Sequence, residues 1–161
     1  MEFYESENDR LGLRDIPPVL AELLRRIPLR EGADSTAAEE RLFPSPSPDP
    51  AEEGLRDDWM AHVQPELHEW FQSARQVVAT DLRGLHEEDD AFALEFPLRH
   101  ADAWLNALNQ ARLTLAAHHA FGDDELARPG PSEIRDERDL ALLQINFYAA
   151  LQQWLVEVMD A

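Results

Sequence analysis

Lysine and cysteine are both absent from the 161 residues, so all 14 basic residues are arginine. The first absence excludes Schiff-base catalysis and a phosphate-loop lysine; the second excludes thiol nucleophiles and thiolate metal sites. Two readings of the missing lysine stay open: codon bias in a GC-rich genome, which needs no selection, and selection for a chain that cannot be tagged on a side chain for degradation, since arginine replaces lysine's charge though not its chemistry. Glycine is scarce as well, with six scattered residues and no phosphate-cradling loop. No G-x-S-x-G occurs, which leaves Ser73, read as helical, without the strained turn that a serine nucleophile needs. Long apolar runs are missing too, and the opening MEFYESENDR has no hydrophobic signal core, so cytoplasm is the expected compartment.

What is present is carboxylate. Thirty-three Asp and Glu against 14 Arg give a formal net charge of -19. Phosphate backbones are bound by clustered basic side chains that release counterions, so nucleic-acid binding is not expected. A basic protein partner, or solubility alone, suits such a surface. The length suits a single domain, 1–161, able to bury a core without staples.

The chain opens on an alternation, Phe3, Glu5, Leu11 and Leu13, that predicts a hairpin around the polar turn Ser6 to Arg10. Asp15 ahead of Pro17 and Pro18 predicts a capped helix with Leu20, Leu23, Leu24 and Ile27 on one face, ended by Pro28. Residues 29–50 read as a Pro/Ser-rich connecting loop, with a one-turn helix capped by Thr36 and Glu39, and with Leu42 and Phe43 tethering it to the core.

Asp49 and Pro50 predict a second helix start, carrying Leu55, Trp59, Met60 and Val63 to a kink at Pro65. Helical period then continues through Leu67, Trp70, Phe71, Ala74, Val78 and Leu82, with Asp81 stranded in the stripe. Gly84 and the acidic run His86 to Asp90 read as its end. Phe92 to Leu98 alternates as a strand, which Pro97 makes an edge or a terminus.

Two stretches are nearly uncharged. Between His100 and Phe121 only Asp102 and Arg112 carry formal charge, and between Leu140 and Met159 only Glu157 does. Both read as enclosed helices forming a central pair, since their several amides suit protein surroundings better than lipid, and no membrane span is expected. Leu140, Leu143, Phe147, Leu151, Trp154 and Val158 form a packing seam that serves a homodimer as readily as the chain's own core. Residues 122–137 read as a polar loop. The expected fold class is mainly α (α+β): about five helices in a bundle with a small antiparallel β element.

Trp104-Leu105-x-Ala107-Leu108-Asn109-x-x-Arg112-Leu113-x-Leu115 resembles the signature of an uncharacterised bacterial family of small helical proteins. Arg41-Leu42-Phe43-Pro44 and the Trp154-Leu155 region resemble two further landmarks of it, so the likeness spans Leu20 to Val158. The family's genes often neighbour that of the Clp protease adaptor, which implies an association with protein turnover and assigns no catalytic residue. The acidic segment Asp49 to Asp58 and the Pro65 kink depart from the family pattern.

For chemistry, Arg112 stands out, because a guanidinium on an uncharged helix is costly to bury unless a carboxylate meets it. Asp81 is the expected partner, with Asn106 and Asn109 completing a polar network; an anion or ligand site at Arg112 is the alternative. No metal site is expected, because adjacent His118 and His119 point about 100° apart on a helix, and Pro65 disturbs the helix between Asp58, His62 and Glu66. No cofactor is expected. The reading is a non-catalytic acidic interaction or regulatory protein with a protein partner, Trp59 and Trp70 being interface candidates. Two rivals stay open: a small-molecule or anion-binding protein or weakly marked enzyme centred on Arg112, and an acidic nucleic-acid mimic using Glu87, Glu88, Asp89 and Asp90.

Overall fold

The fold, described from a computed structural model, covers residues 1–29, 36–44 and 49–161. Gly32, the Thr36/Glu39 side-chain cap, Pro46 and Pro48 lie outside what is described. The chain is mainly helical with a small antiparallel sheet, as its periodicities predict.

Strands β1 (Glu2–Ser6) and β2 (Arg10–Ile16) form the expected hairpin, in register from Glu2 opposite Arg14 to Ser6 opposite Arg10. The sheet order is β1-β2-β4-β3, where β3 is His86–Glu88 and β4 is Ala91–Pro97. Alternation sends Leu11, Leu13, Leu94 and Phe96 to one face, where all four are buried against helices. β4 is therefore an interior strand, and Pro97 sits at its terminus, where the missing amide proton costs no ladder bond between neighbours on both sides.

Two sequence expectations are corrected here. Asp15 is not a helix cap: it sits in β2 at φ 51°, where the register against β4 shifts between Leu13 and Ile16. That irregularity lets Ile16 turn into the core, and α1 (Pro18–Arg26) starts from Pro17 with no side-chain cap. The acidic run His86 to Asp90 is not a helix end but β3 plus a turn. Asp89 and Asp90 both have positive φ, 49° and 65°, the geometry of a two-residue hairpin turn whose twist matches the strands it joins.

The long helical arm follows the sequence more closely. Asp49 Oδ1 accepts from the Ala51 amide at 2.9 Å and caps a one-turn 3-10 segment, Pro50–Glu52. Helix α3 (Glu53–Asp58) runs through a π turn, Trp59–Val63, into α4 (Gln64–Asp81). Pro65 explains the π turn, because proline cannot donate to the carbonyl four residues back and its ring crowds that turn. Between the arm and the bundle lies α2 (Thr36–Leu42), from which Leu42 and the following Phe43 are buried, as their tethering role requires. Phe43 stacks on His68 with centroids 3.8 Å apart.

Helix α5 (Ala101–His118) packs against both α4 and α7 (Glu137–Asp160), and polar residues 122–137 carry one further turn, α6 (Asp123–Leu126). The core lies between the sheet and these helices. Trp104, 1% exposed, stacks on Phe96 at 4.4 Å, and Phe3 stacks on Trp154 at 4.7 Å. Full burial of an aromatic side chain contributes roughly 1.5–3 kcal/mol, so the buried Trp104–Phe96 stack does much to hold the sheet on the helices, with the partly buried Phe3–Trp154 stack adding to it. The buried face of α7 centres on Ala141, Gln144, Ile145, Phe147, Tyr148, Leu151 and Leu155, so Phe147 and Leu151 of the expected seam are buried, with Leu140, Leu143, Trp154 and Val158 at its rim. A count of apolar residues misplaces that centre because Gln144 is polar yet 2% exposed, its burial made tolerable by hydrogen bonding to Tyr148. The chain's own sheet and α5 cover this seam.

Candidate functional site

Asp81 ends α4 and is the best-connected carboxylate of the core. Its Oδ2 accepts from Trp104 Nε1 at 2.9 Å, and both its oxygens lie 3.0 Å from His100 Nδ1. A carboxylate oxygen facing Nδ1 is an acceptor, so that nitrogen carries the hydrogen. The three residues tie the end of α4 to the start of α5, across the intervening hairpin β3–β4. The pairing of Asp81 with Arg112 is corrected: Arg112 lies eight residues beyond Trp104, about 12 Å further along the helix. The missed partners carried a usable signal, since a buried indole needs an acceptor and Asp81 was the carboxylate stranded in an apolar stripe.

Arg112 instead donates through Nη1 to Gln152 Oε1, and Gln152 returns its amide to the Leu105 carbonyl at 3.2 Å. No described carboxylate pairs with it, and partial burial pushes the guanidinium below its ordinary value. Arginine stays protonated even so, and the amide oxygen supplies the acceptor that a carboxylate was expected to provide. None of the hollows described below has Arg112 in its lining. Asn109 is exposed and outside this network, while Asn106 Oδ1 accepts from Gln110 Nε2, which also reaches the Phe71 carbonyl. Arg112, Asp81 and Asn109 are thus not brought together.

On the outer face of the sheet, Glu95 accepts from the Tyr4 hydroxyl at 2.7 Å and from Arg10 Nε at 3.1 Å. Gly12, between Tyr4 and Glu95 in the strand register, makes this possible, since a Cβ there would stand 2.1 Å from the Tyr4 ring. The Tyr4 bond, reinforced by Arg10 and opposed by burial, holds the Glu95 carboxyl below its ordinary 4.5; burial and then Glu95 push the Tyr4 phenol up to about 12. A carboxyl depressed by folding stabilises the fold above its unfolded value, and that contribution is lost as pH falls through the folded value. Urea unfolding should show wild type exceeding Glu95→Gln by a constant margin above pH 4.5, shrinking below it. An unchanged margin down to about pH 2 would contradict this assignment.

The arm formed by α3, the π turn and α4 is different in kind. Leu55, Met60, Val63 and Trp70 are 54, 58, 39 and 59% exposed, although each is a large apolar residue. Trp59 is half-buried and stands between two hollows. One, about 420 Å³, is lined by Leu55, Asp58, Trp59, His62 and Val63; the other, about 380 Å³, by Glu40, Phe43, Arg56, Trp59, Met60 and Gln64. Both tryptophans read as interface candidates from sequence are therefore here. Glu87, Glu88, Asp89 and Asp90 lie elsewhere, on the exposed β3–β4 hairpin, where strand alternation turns Glu87 and Glu88 to opposite faces.

Among the described residues, no three or more His, Asp or Glu gather so as to hold a metal ion, and no helix is long and apolar enough to cross a membrane. No curated protein and no solved structure matches the chain. The landmarks around Leu42, Trp104 and Trp154 resemble an uncharacterised family, and a family model agrees: the one described as Domain of unknown function (DUF2017) matches residues 3–159, and the chain belongs to that family.

Proposed function

We propose that this chain is a non-catalytic interaction protein that docks a protein partner through the α3–α4 arm. The observation that carries the reading is that four large apolar residues, Leu55, Met60, Val63 and Trp70, are exposed within one helical arm, around the two hollows that Trp59 lines. Scattered single apolar residues are normal on a surface, whereas a contiguous patch rimmed by polar groups marks a contact region. The chemistry of the interior supports a non-catalytic reading, because Asp81, Gln144 and Tyr148 are committed to bonds that join elements. The likeness to the family beside the Clp adaptor gene extends the proposal to a regulatory role in Clp-type protein turnover.

Affinity capture in the native host tests it, comparing wild type with a Met60→Ser, Trp70→Ser variant whose folding is checked by circular dichroism. Wild type is expected to retain partners, Clp components among them, that the variant loses. Identical recoveries from the two proteins would refute docking on the arm.

A further inference from the structure

We infer that the partner segment is a basic amphipathic helix, laid with its apolar side on the arm and its Arg and Lys over the flanking carboxylates. This rests on the docking reading and adds the chemistry of the occupant. Within residues 49–70, seven carboxylates (Asp49, Glu52, Glu53, Asp57, Asp58, Glu66, Glu69) face one cation, Arg56, and all seven are exposed. The arm's charge is thus predominantly negative, with Asp58 in the lining of one hollow and Arg56 in that of the other, which steers and selects a partner of opposite sign.

The π turn shapes the arm for such an occupant. In an α-helix a spacing of four residues drifts by about 40° per step. A π turn holds more residues, so the step from Trp59 to Val63 nearly closes one turn. Leu55, Trp59, Val63 and Trp70 consequently stay on one side of the arm, Met60 lies across Trp59 in the lining of the second hollow, and the two hollows give anchoring side chains a place to enter. A helix presenting apolar residues at spacings of three and four matches that geometry.

Charge disfavours the other occupants. A second copy would bring the same seven carboxylates against these, and anionic lipid head groups would be repelled in the same way. The test uses the full chain and two labelled 18-residue helical peptides with identical leucine positions, one otherwise Arg/Lys and the other Glu, measured by fluorescence anisotropy. The basic peptide is expected to bind, at least tenfold more weakly after Asp57→Asn with Asp58→Asn and Glu66→Gln, and at least tenfold more weakly after Met60→Ser with Trp70→Ser. Neutralising the distant hairpin by Glu87→Gln with Glu88→Gln should change binding less than twofold.

Equal binding of the Glu peptide, or an equal loss on neutralising the hairpin, would overturn the basic-helix assignment. So would partition onto phosphatidylcholine vesicles that arm variants abolish, or an arm-dependent dimer in sedimentation. If host partners are still lost from the Met60/Trp70 variant in those cases, docking on the arm stands and only the occupant's chemistry falls. If no partner is lost, the docking reading falls with it.

Discussion

Asp81→Ala should lower the unfolding free energy by about 3 kcal/mol, the largest single-residue effect expected outside the apolar core. The carboxylate is 8% exposed at the side chain and accepts from two donors, one of them the indole of a tryptophan that is itself 1% exposed. Truncation leaves the Trp104 N–H buried without an acceptor, and an unsatisfied buried donor costs its full desolvation, roughly 1–3 kcal/mol, beyond the bonds lost. For a domain of this length, about 3 kcal/mol shifts the melting temperature by roughly 6–12 °C. Asp81→Asn retains an acceptor oxygen for Trp104 and should recover a third or more of the loss. Urea unfolding of the three proteins measures this; a loss below about 1 kcal/mol in the alanine variant would show that Trp104 is held by its stack on Phe96 alone.

Tyr148→Phe should cost about 2 kcal/mol although it removes one oxygen and leaves the ring in place. The hydroxyl donates to the Leu23 carbonyl at 2.6 Å and accepts from Gln144 Nε2 at 2.8 Å, all three residues being buried. Leu23 lies in the last turn of α1, where carbonyls have run out of intrahelical partners, so Tyr148 caps α1 from a helix 125 residues away in sequence. Because removing both members of a buried polar pair is cheaper than removing one, Gln144→Met combined with Tyr148→Phe should cost less than the sum of the single changes. Strict additivity in that double-mutant cycle would show the two side chains to be independent.

Both results turn on contacts that local pattern could not reveal. The hairpin, the stripe of α1, the helical arm with its break near Pro65, and the enclosure of α5 and α7 were legible, because period two or period 3.6 in apolar residues reports which side of an element is covered. Asp15 and the acidic run His86 to Asp90 misled for a related reason. Aspartate before proline is an N-cap signal and acidic runs punctuate helices, yet the left-handed backbone that Asp also tolerates serves strand irregularities and tight turns equally well. The rotation of the α7 face was hidden because its buried centre includes Gln144 and Tyr148, whose burial depends on each other.

The interface candidates divide in the same way. Trp59 and Trp70 were identifiable as aromatic residues on an acidic stretch, but the half-burial of Trp59 and the exposure of Trp70 were not, since the same helical period describes a stripe that is buried and one that is bare. Only packing shows that the bundle covers the second half of α4, where Ala74 and Val78 are buried, and leaves Leu55, Met60, Val63 and Trp70 bare.

By itself the sequence determined the sign and size of the charge, the chemistry excluded with lysine and cysteine, and the kinds of element present, because these depend on composition and on neighbours within a turn or two. Tertiary structure alone decided which partner each lone polar group found: His100 and Trp104 for Asp81, Gln152 for Arg112, Leu23 for Tyr148. Such pairings join positions 19 to 125 residues apart, and whether they meet depends on strand order and helix packing, which no local periodicity encodes.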